Sequence, residues 1–158
     1  MPVKASYGRK RTLDRDRVRP EMPDDEHPAP PADYAALLGT EWLGDDPDDA
    51  RARISIRDDL RQPFGLMHGG VLSGLVESVC SRATALAVFE DGMTAMGQSI
   101  SVNFTRPITA GHAEVRARAR HRGRTTWVWE AEVLDADDRV CALAQMTIAI
   151  RPIPNSDS

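Results

Sequence analysis

The sequence predicts an α+β protein in which one long helix covers an antiparallel sheet, and three observations predict it. Apolar residues recur at helical spacing between Gly70 and Glu90. From Thr94 onward the spacing shortens to every second residue. Short turn signals then separate the alternating runs, so strands follow one another with little chain between them. A sheet with one apolar face needs a cover, and the 70–90 segment is the only predicted element long enough to supply it.

Taken in order, the chain opens with a basic stretch, Lys4, Arg9, Lys10, Arg11, Arg15, Arg17 and Arg19 against Asp14 and Asp16, followed by acidic and Pro-rich residues from Glu21 to Pro31. Such a composition buries too little apolar surface to offset its ordering entropy. Residues 1–30 are therefore expected to form a flexible arm, open to contact with an acidic partner, ahead of one domain over 31–152 and a short flexible tail over 153–158. Asp33 to Leu38 reads as a short helix, Asp45 to Asp49 as a turn, and Arg51 to Arg57 as a strand with Ala52, Ile54 and Ile56 on one face. Three glycines, Gly65, Gly69 and Gly70, mark a loop before the long helix, whose stripe is Leu72, Leu75, Val76, Val79, Ala83 and Leu86. Four strands follow. Ile100, Val102 and Phe104 alternate with Ser99, Ser101 and Asn103 up to Pro107; Ala113 to Ala119 alternate with arginines; Thr126 to Leu134 and Arg139 to Ile150 complete a predicted meander.

With 158 residues, 41% hydrophobic and 28% charged, the chain has the make-up of an ordinary soluble single domain. No apolar run approaches the roughly 18 residues of a membrane span, and no signal-like apolar stretch follows the basic start, so a cytoplasmic protein with no membrane partner is expected. A net charge of -4 argues against nucleic acid as the main partner. Cys80 and Cys141 sit within apolar segments and read as buried free thiols. His27, His68, His112 and His121 are scattered without ligand spacing, so neither a metal nor an organic cofactor is expected.

The segment Gly65 to Ser78 carries the chemistry. Glycines directly before a helix allow close backbone approach, and the first helical N–H groups lack internal partners, so an amide near Gly69 can polarise a carbonyl and hold an oxyanion. The same glycines also fit a tight turn with no further role. Glu77 is placed on the face opposite the apolar stripe, with Ser73 and Ser81 one turn to either side, where it can serve as general base or nucleophile on an activated acyl group. A solvated surface glutamate is the other reading. Eight residues of helix separate Gly69 from Glu77, about 12 Å at 1.5 Å per residue, too far to hold one carbonyl together. If both act in one reaction, they come from two subunits of a dimer with antiparallel helices and two equivalent sites.

At His68-Gly69-Gly70 with Glu77 nine positions after the His, the chain resembles the hotdog-fold acyl-CoA thioesterases of the hydroxybenzoyl-CoA and phenylacetic-acid-degradation type. The likeness continues through Asn103-Phe-Thr-Arg-Pro107, the basic hairpin His121 to Thr125 and the final Ala149 to Pro152, and spans about residues 35–152. It implies a curved antiparallel sheet wrapped around the long helix, hydrolysis of an acyl-CoA, and assembly as a homodimer and homotetramer. It further implies that the Gly69 amide polarises the carbonyl, that Glu77 is base or nucleophile, that Gln62 lies beside the acyl carbonyl, and that Ser81 positions water or the carboxylate. Gly70 and Asn103 fall in the matched motifs as substrate contacts. His68 either orients the loop or touches the thioester oxygen.

Arg106, Arg120, Arg122 and Arg124 are candidates for the phosphates of coenzyme A, since guanidinium groups bind phosphate in a bidentate way. Cross-strand charge pairs account equally well for part of the arginine row, with Arg116 expected opposite Glu130. Trp127 and Trp129 share a strand face with Ala131 and Val133 and read as packing residues. Two other functions stay open: a noncatalytic acyl-CoA binder or sensor, and a hotdog hydratase or dehydratase, which the Glu77 pattern disfavours.

Overall fold

The computed structural model describes residues 33–153. The arm expected over residues 1–30 lies outside the described residues, as does the expected tail beyond Ile153. The order is α1 (Tyr34–Leu38), β1 (Glu41–Asp46), β2 (Asp49–Ser55), α2 (Gly69–Val88), β3 (Met93–Phe104), β4 (His112–Arg122), β5 (Thr126–Leu134) and β6 (Val140–Pro152), with 3-10 turns at Asp58–Leu60 and Phe89–Asp91. The strands form one antiparallel six-stranded sheet in the order β1-β2-β4-β5-β6-β3.

α1 begins where Asp33 caps it, its carboxylate accepting from Ala36 N–H at 2.7 Å. It ends at Gly39, whose φ of 68° is the left-handed C-terminal conformation. The strand expected over 51–57 forms two residues earlier, because Asp49 and Ala50 already pair with β1. β1 itself lies in a stretch expected to hold no strand. Its sequence, Glu41-Trp-Leu-Gly-Asp-Asp46, has no alternation, since an edge strand at the rim of the sheet has no fully buried face to record. What fixes it is distant: Arg82 on α2 stacks 4.7 Å over the Trp42 ring and bonds both carboxylate oxygens of Asp45.

The meander is real only for β4, β5 and β6. β3 does not neighbour β4; the chain leaves it near Pro107 and crosses so that β3 closes the far edge against β6. Alternation identifies a strand but not its neighbour, so the sequence left this crossing unread. The β4–β5 hairpin turns beyond Gly123, whose N–H donates to Thr126 C=O, and a bulge between Ala119 and His121 moves the register by one residue, so Glu130 lies opposite Arg118 and Glu132 opposite Arg116. Arg116 bonds Glu114 and Asp138 instead of Glu130, which pairs with Arg120.

α2 lies across the inner face of the sheet and buries Leu72, Leu75, Val76, Val79, Cys80, Ala83, Thr84 and Val88. Leu86, expected in this stripe, is 51% exposed: the sheet covers the face marked by Ala83 and Thr84 and not the one two residues on. Across Gly69–Asp91 the mean hydropathy reaches 1.4 over an 18-residue window, so in length and composition this segment does match a membrane span, contrary to the sequence reading. Its apolar face is instead packed on β-strand residues Val115, Trp129, Val133 and Ile148 in one core. Trp129 is fully buried and anchors β5 to α2, its Nε1–H donating to Thr84 Oγ1 at 2.9 Å while that hydroxyl donates to Cys80 C=O at 2.8 Å. Both cysteines are buried free thiols, as expected.

Two outcomes test this packing. Thr84→Val keeps the shape but leaves the Trp129 indole N–H without a partner, and denaturant unfolding should show a loss of about 1–3 kcal/mol. Asp135, at the β5–β6 turn, is held at a pKa of about 2 by the Arg139 side chain and by the Arg139 and Asp137 amides, below its ordinary 3.8. A depressed carboxylate stabilises the fold above its unfolded pKa, so this contribution is lost as pH falls from about 4 to about 2. Thermal melts across that window should flatten in Asp135→Asn relative to the parent.

Candidate active site

The site is built at the start and middle of α2. His68 is the N-cap residue, and its Nδ1 accepts from Gly70 N–H at 2.9 Å. That bond needs a lone pair on Nδ1, so the neutral ring carries its proton on Nε2, and the exposed imidazole is a donor toward solvent. One of the two orphan amides is thereby consumed. Gly69 N–H makes no hydrogen bond to the described residues, and it points from the positive end of a helix 20 residues long. A side chain at 69 would meet the Phe104 ring, since a Cβ there would come 3.0 Å from Cζ. Glycine at this position thus lets β3 close over the helix start and leaves the amide bare.

Glu77 is not on the face opposite the apolar stripe, where its spacing placed it, nor is it a solvated surface glutamate. It is half-buried and turned toward β3: Ser81 Oγ–H donates to its Oε1 at 2.9 Å, and a Cβ at Gly97 would come 3.3 Å from the same oxygen. The apolar stripe is wide enough that the opposite face, as counted from the sequence, is really its flank. Gly97 begins a bulge at Gly97–Ser99 in β3, so the missing side chain and the local break in pairing both lie beside the carboxylate. Burial, then the nearby Glu77 charge, push the Cys80 thiol up, so it stays protonated and is no nucleophile. The Ser73 hydroxyl is turned back to Gly69 C=O at 3.0 Å and does not touch Glu77.

Gln62 is half-buried in the loop before α2, and its side-chain amide makes no hydrogen bond to the described residues. Gln62, His68 and Gly69 are thus brought to one end of α2, with Gly70 engaged by the cap, while Glu77 lies about two turns and Ser81 about three turns away. Asn103 faces the other side of the sheet, where it lines an open groove with Arg116, Arg118, Arg120, Glu130 and Gln145. Arg122 pairs with Asp48 at 2.7 Å and lies 5.5 Å from the Trp127 ring, whereas exposed Arg106 and Arg124 have no ion pair among the described residues. Among the described residues there is no group of three His, Cys, Asp or Glu side chains able to hold a metal ion. Gly97 was invisible in the sequence because it lies 20 residues from Glu77, in a strand whose bulge no local pattern announces.

A long helix with a bare first amide and a flanking carboxylate, backed by an antiparallel sheet in this order, defines a hotdog-fold protein of the thioesterase class. Residues 64–142 match the family model described as the thioesterase superfamily, and the chain belongs to that family. A thioesterase from Haemophilus influenzae superposes with a TM-score of 0.73 at 28% identity, over 78% of this chain and 86% of that one. Similar in sequence are the proofreading thioesterase EntH of Cronobacter turicensis, 33% identical over 72% of this chain and 82% of its own, and the 1,4-dihydroxy-2-naphthoyl-CoA hydrolase of Listeria monocytogenes, 29% identical over 72% and 92%.

The cap is open to test. His68→Ala removes the acceptor for Gly70 N–H and should lower stability by about 1 kcal/mol in denaturant unfolding, the usual scale for a lost N-cap.

Proposed function

We propose that the protein hydrolyses an acyl-CoA thioester to the free acid and coenzyme A. The observation that carries this is the pairing of a bare Gly69 amide at the start of α2 with a half-buried Glu77 carboxylate that Ser81 orients and Gly97 leaves uncovered. A thioester carbonyl accepting from Gly69 N–H is polarised, and the helix terminus favours the negative charge that grows on its oxygen. Glu77 takes a proton from water as the water oxygen bonds to the acyl carbon, and the tetrahedral adduct collapses to the free acid as the carbon–sulfur bond breaks; or Glu77 itself bonds to that carbon, the carbon–sulfur bond breaks to leave an acyl–Glu77 anhydride, and water then cleaves the anhydride to the free acid and the Glu77 carboxylate. The thiolate leaves as coenzyme A. Gln62 supplies a second donor beside the carbonyl, and Arg106, Arg122 and Arg124 offer guanidinium groups to the phosphates. The coenzyme-A substrate named for the Listeria relative supports this choice of thioester.

The carbonyl seat and the carboxylate belong to one helix and are about 12 Å apart along it, so each site needs the helix start of one protomer and Glu77 of another. β3 gives a place for that union. It is an edge strand, one side unpaired among the described residues, and it carries exposed Met96, Ile100 and Phe104 next to Gly69 and Gly97. A homodimer with antiparallel α2 helices would cover these side chains, and a dimer of such dimers is the natural further assembly.

A thiol-release assay over a panel of acyl-CoAs, run on the parent and Glu77→Gln, tests the reading. Turnover should fall at least about 10²-fold in the variant while circular dichroism stays unchanged, since one charge is removed without a change of shape. Equal rates would retire the catalytic role of Glu77, and coenzyme A binding without turnover of any thioester would favour a binder or sensor.

A further inference from the structure

We propose that Arg61 is the positioning residue that holds the carbonyl-binding end of α2 in register, an inference that rests on the thioesterase reading above. The chain between β2 and α2 leaves the sheet, turns at Gly65 and returns as His68, carrying Gln62 on the way. Its backbone closes through Gln62 N–H to Leu66 C=O at 2.8 Å and His68 N–H to Leu60 C=O at 2.9 Å, and Met67 N–H reaches Ile108 C=O at 2.9 Å. At the centre of this loop lies the Arg61 guanidinium. Its Nη1 donates both to Gly65 C=O at 2.6 Å and to Thr109 C=O at 2.7 Å, while Nε reaches Asp58 at 3.1 Å.

These bonds are unequal. The Asp58 side chain is fully exposed, so solvent screens that pair, whereas Arg61 is only 24% exposed and its charged donor meets two carbonyls directly. One guanidinium nitrogen therefore ties the tip of the Gln62–His68 turn to the segment that follows β3. That segment is the continuation of the strand bearing Phe104, which sits against Gly69. Gln62 and the Gly69 amide are thus located relative to β3 through Arg61, and a lysine, a point donor without the planar fork, cannot reproduce the geometry in full. Arg61 itself touches no reacting atom; it acts through its neighbours.

The test compares Arg61→Met and Arg61→Lys, each alone and with Gln62→Ala, by steady-state kinetics and amide hydrogen exchange. With Arg61→Met, kcat should fall about 10–100-fold while KM stays within about threefold, because a misplaced carbonyl seat costs rate more than binding. Arg61→Lys should fall between the parent and Arg61→Met. The loss should shrink when Gln62 is already Ala, and exchange at Gln62, Met67 and His68 should quicken while β5 keeps its protection. A change confined to KM would mean direct contact with substrate and would overturn the proposal, as would equal loss in both backgrounds or unchanged loop exchange. If the parent turns over no thioester, it is the thioesterase reading that fails, and the exchange result alone then decides whether Arg61 holds the loop.

Discussion

Burial of one helix against one sheet is the constraint on which the rest of this structure depends. α2 supplies the inner cover for β2, β4, β5 and β6, and without it the apolar rows from Ala113 to Ala119 and from Trp127 to Val133 would face water. Area alone would let the helix slide. Its axial position is pinned by the buried Trp129–Thr84 bond, and its rotation by the Arg82 contacts to Trp42 and Asp45 on β1. Because helix and sheet are locked in this way, a glutamate on the flank of the stripe arrives at one place on β3, beside the glycine that leaves room for it.

The polar groups of the site are arranged by the same packing. A helix start is a weak anion site in water, but here a histidine side chain takes up one amide and a phenylalanine ring closes over the glycine carrying the other. The donor left over is single and directed. Glu77 is likewise half desolvated, fixed by one hydroxyl and held beside Gly97 of β3. In the proposed dimer these two halves would meet across the edge strand. The exposed apolar side chains of β3 would then be buried along with the substrate, a single event serving stability and catalysis.

Several elements were legible because their cause is local. The 3.6-residue period of α2 and the strict alternation of β4 and β5 record one buried face each, and the structure places these elements within a residue or two of the expected bounds. His68-Gly69-Gly70 was legible for a related reason: two glycines before an apolar helix mark a start with uncommitted amides. β1 was not legible, since Arg82 and β2 hold it from afar. Nor was the β4–β5 pairing, which depends on where the turn after Gly123 closes and on a one-residue bulge at Ala119–His121.

The residue order by itself determined the class of fold, the long helix, the buried faces of the central strands and the identity of the polar residues near the helix start, because each is written in the spacing of side chains along one element. Only the tertiary structure decided that β3 closes the far edge of the sheet, that Glu77 turns inward toward Gly97 and that Asn103 looks out from the other face. These outcomes depend on which strands become neighbours and on how a helix is rotated against them. Such relations are set by long-range packing free energy, summed over many weak contacts that no short stretch of sequence contains.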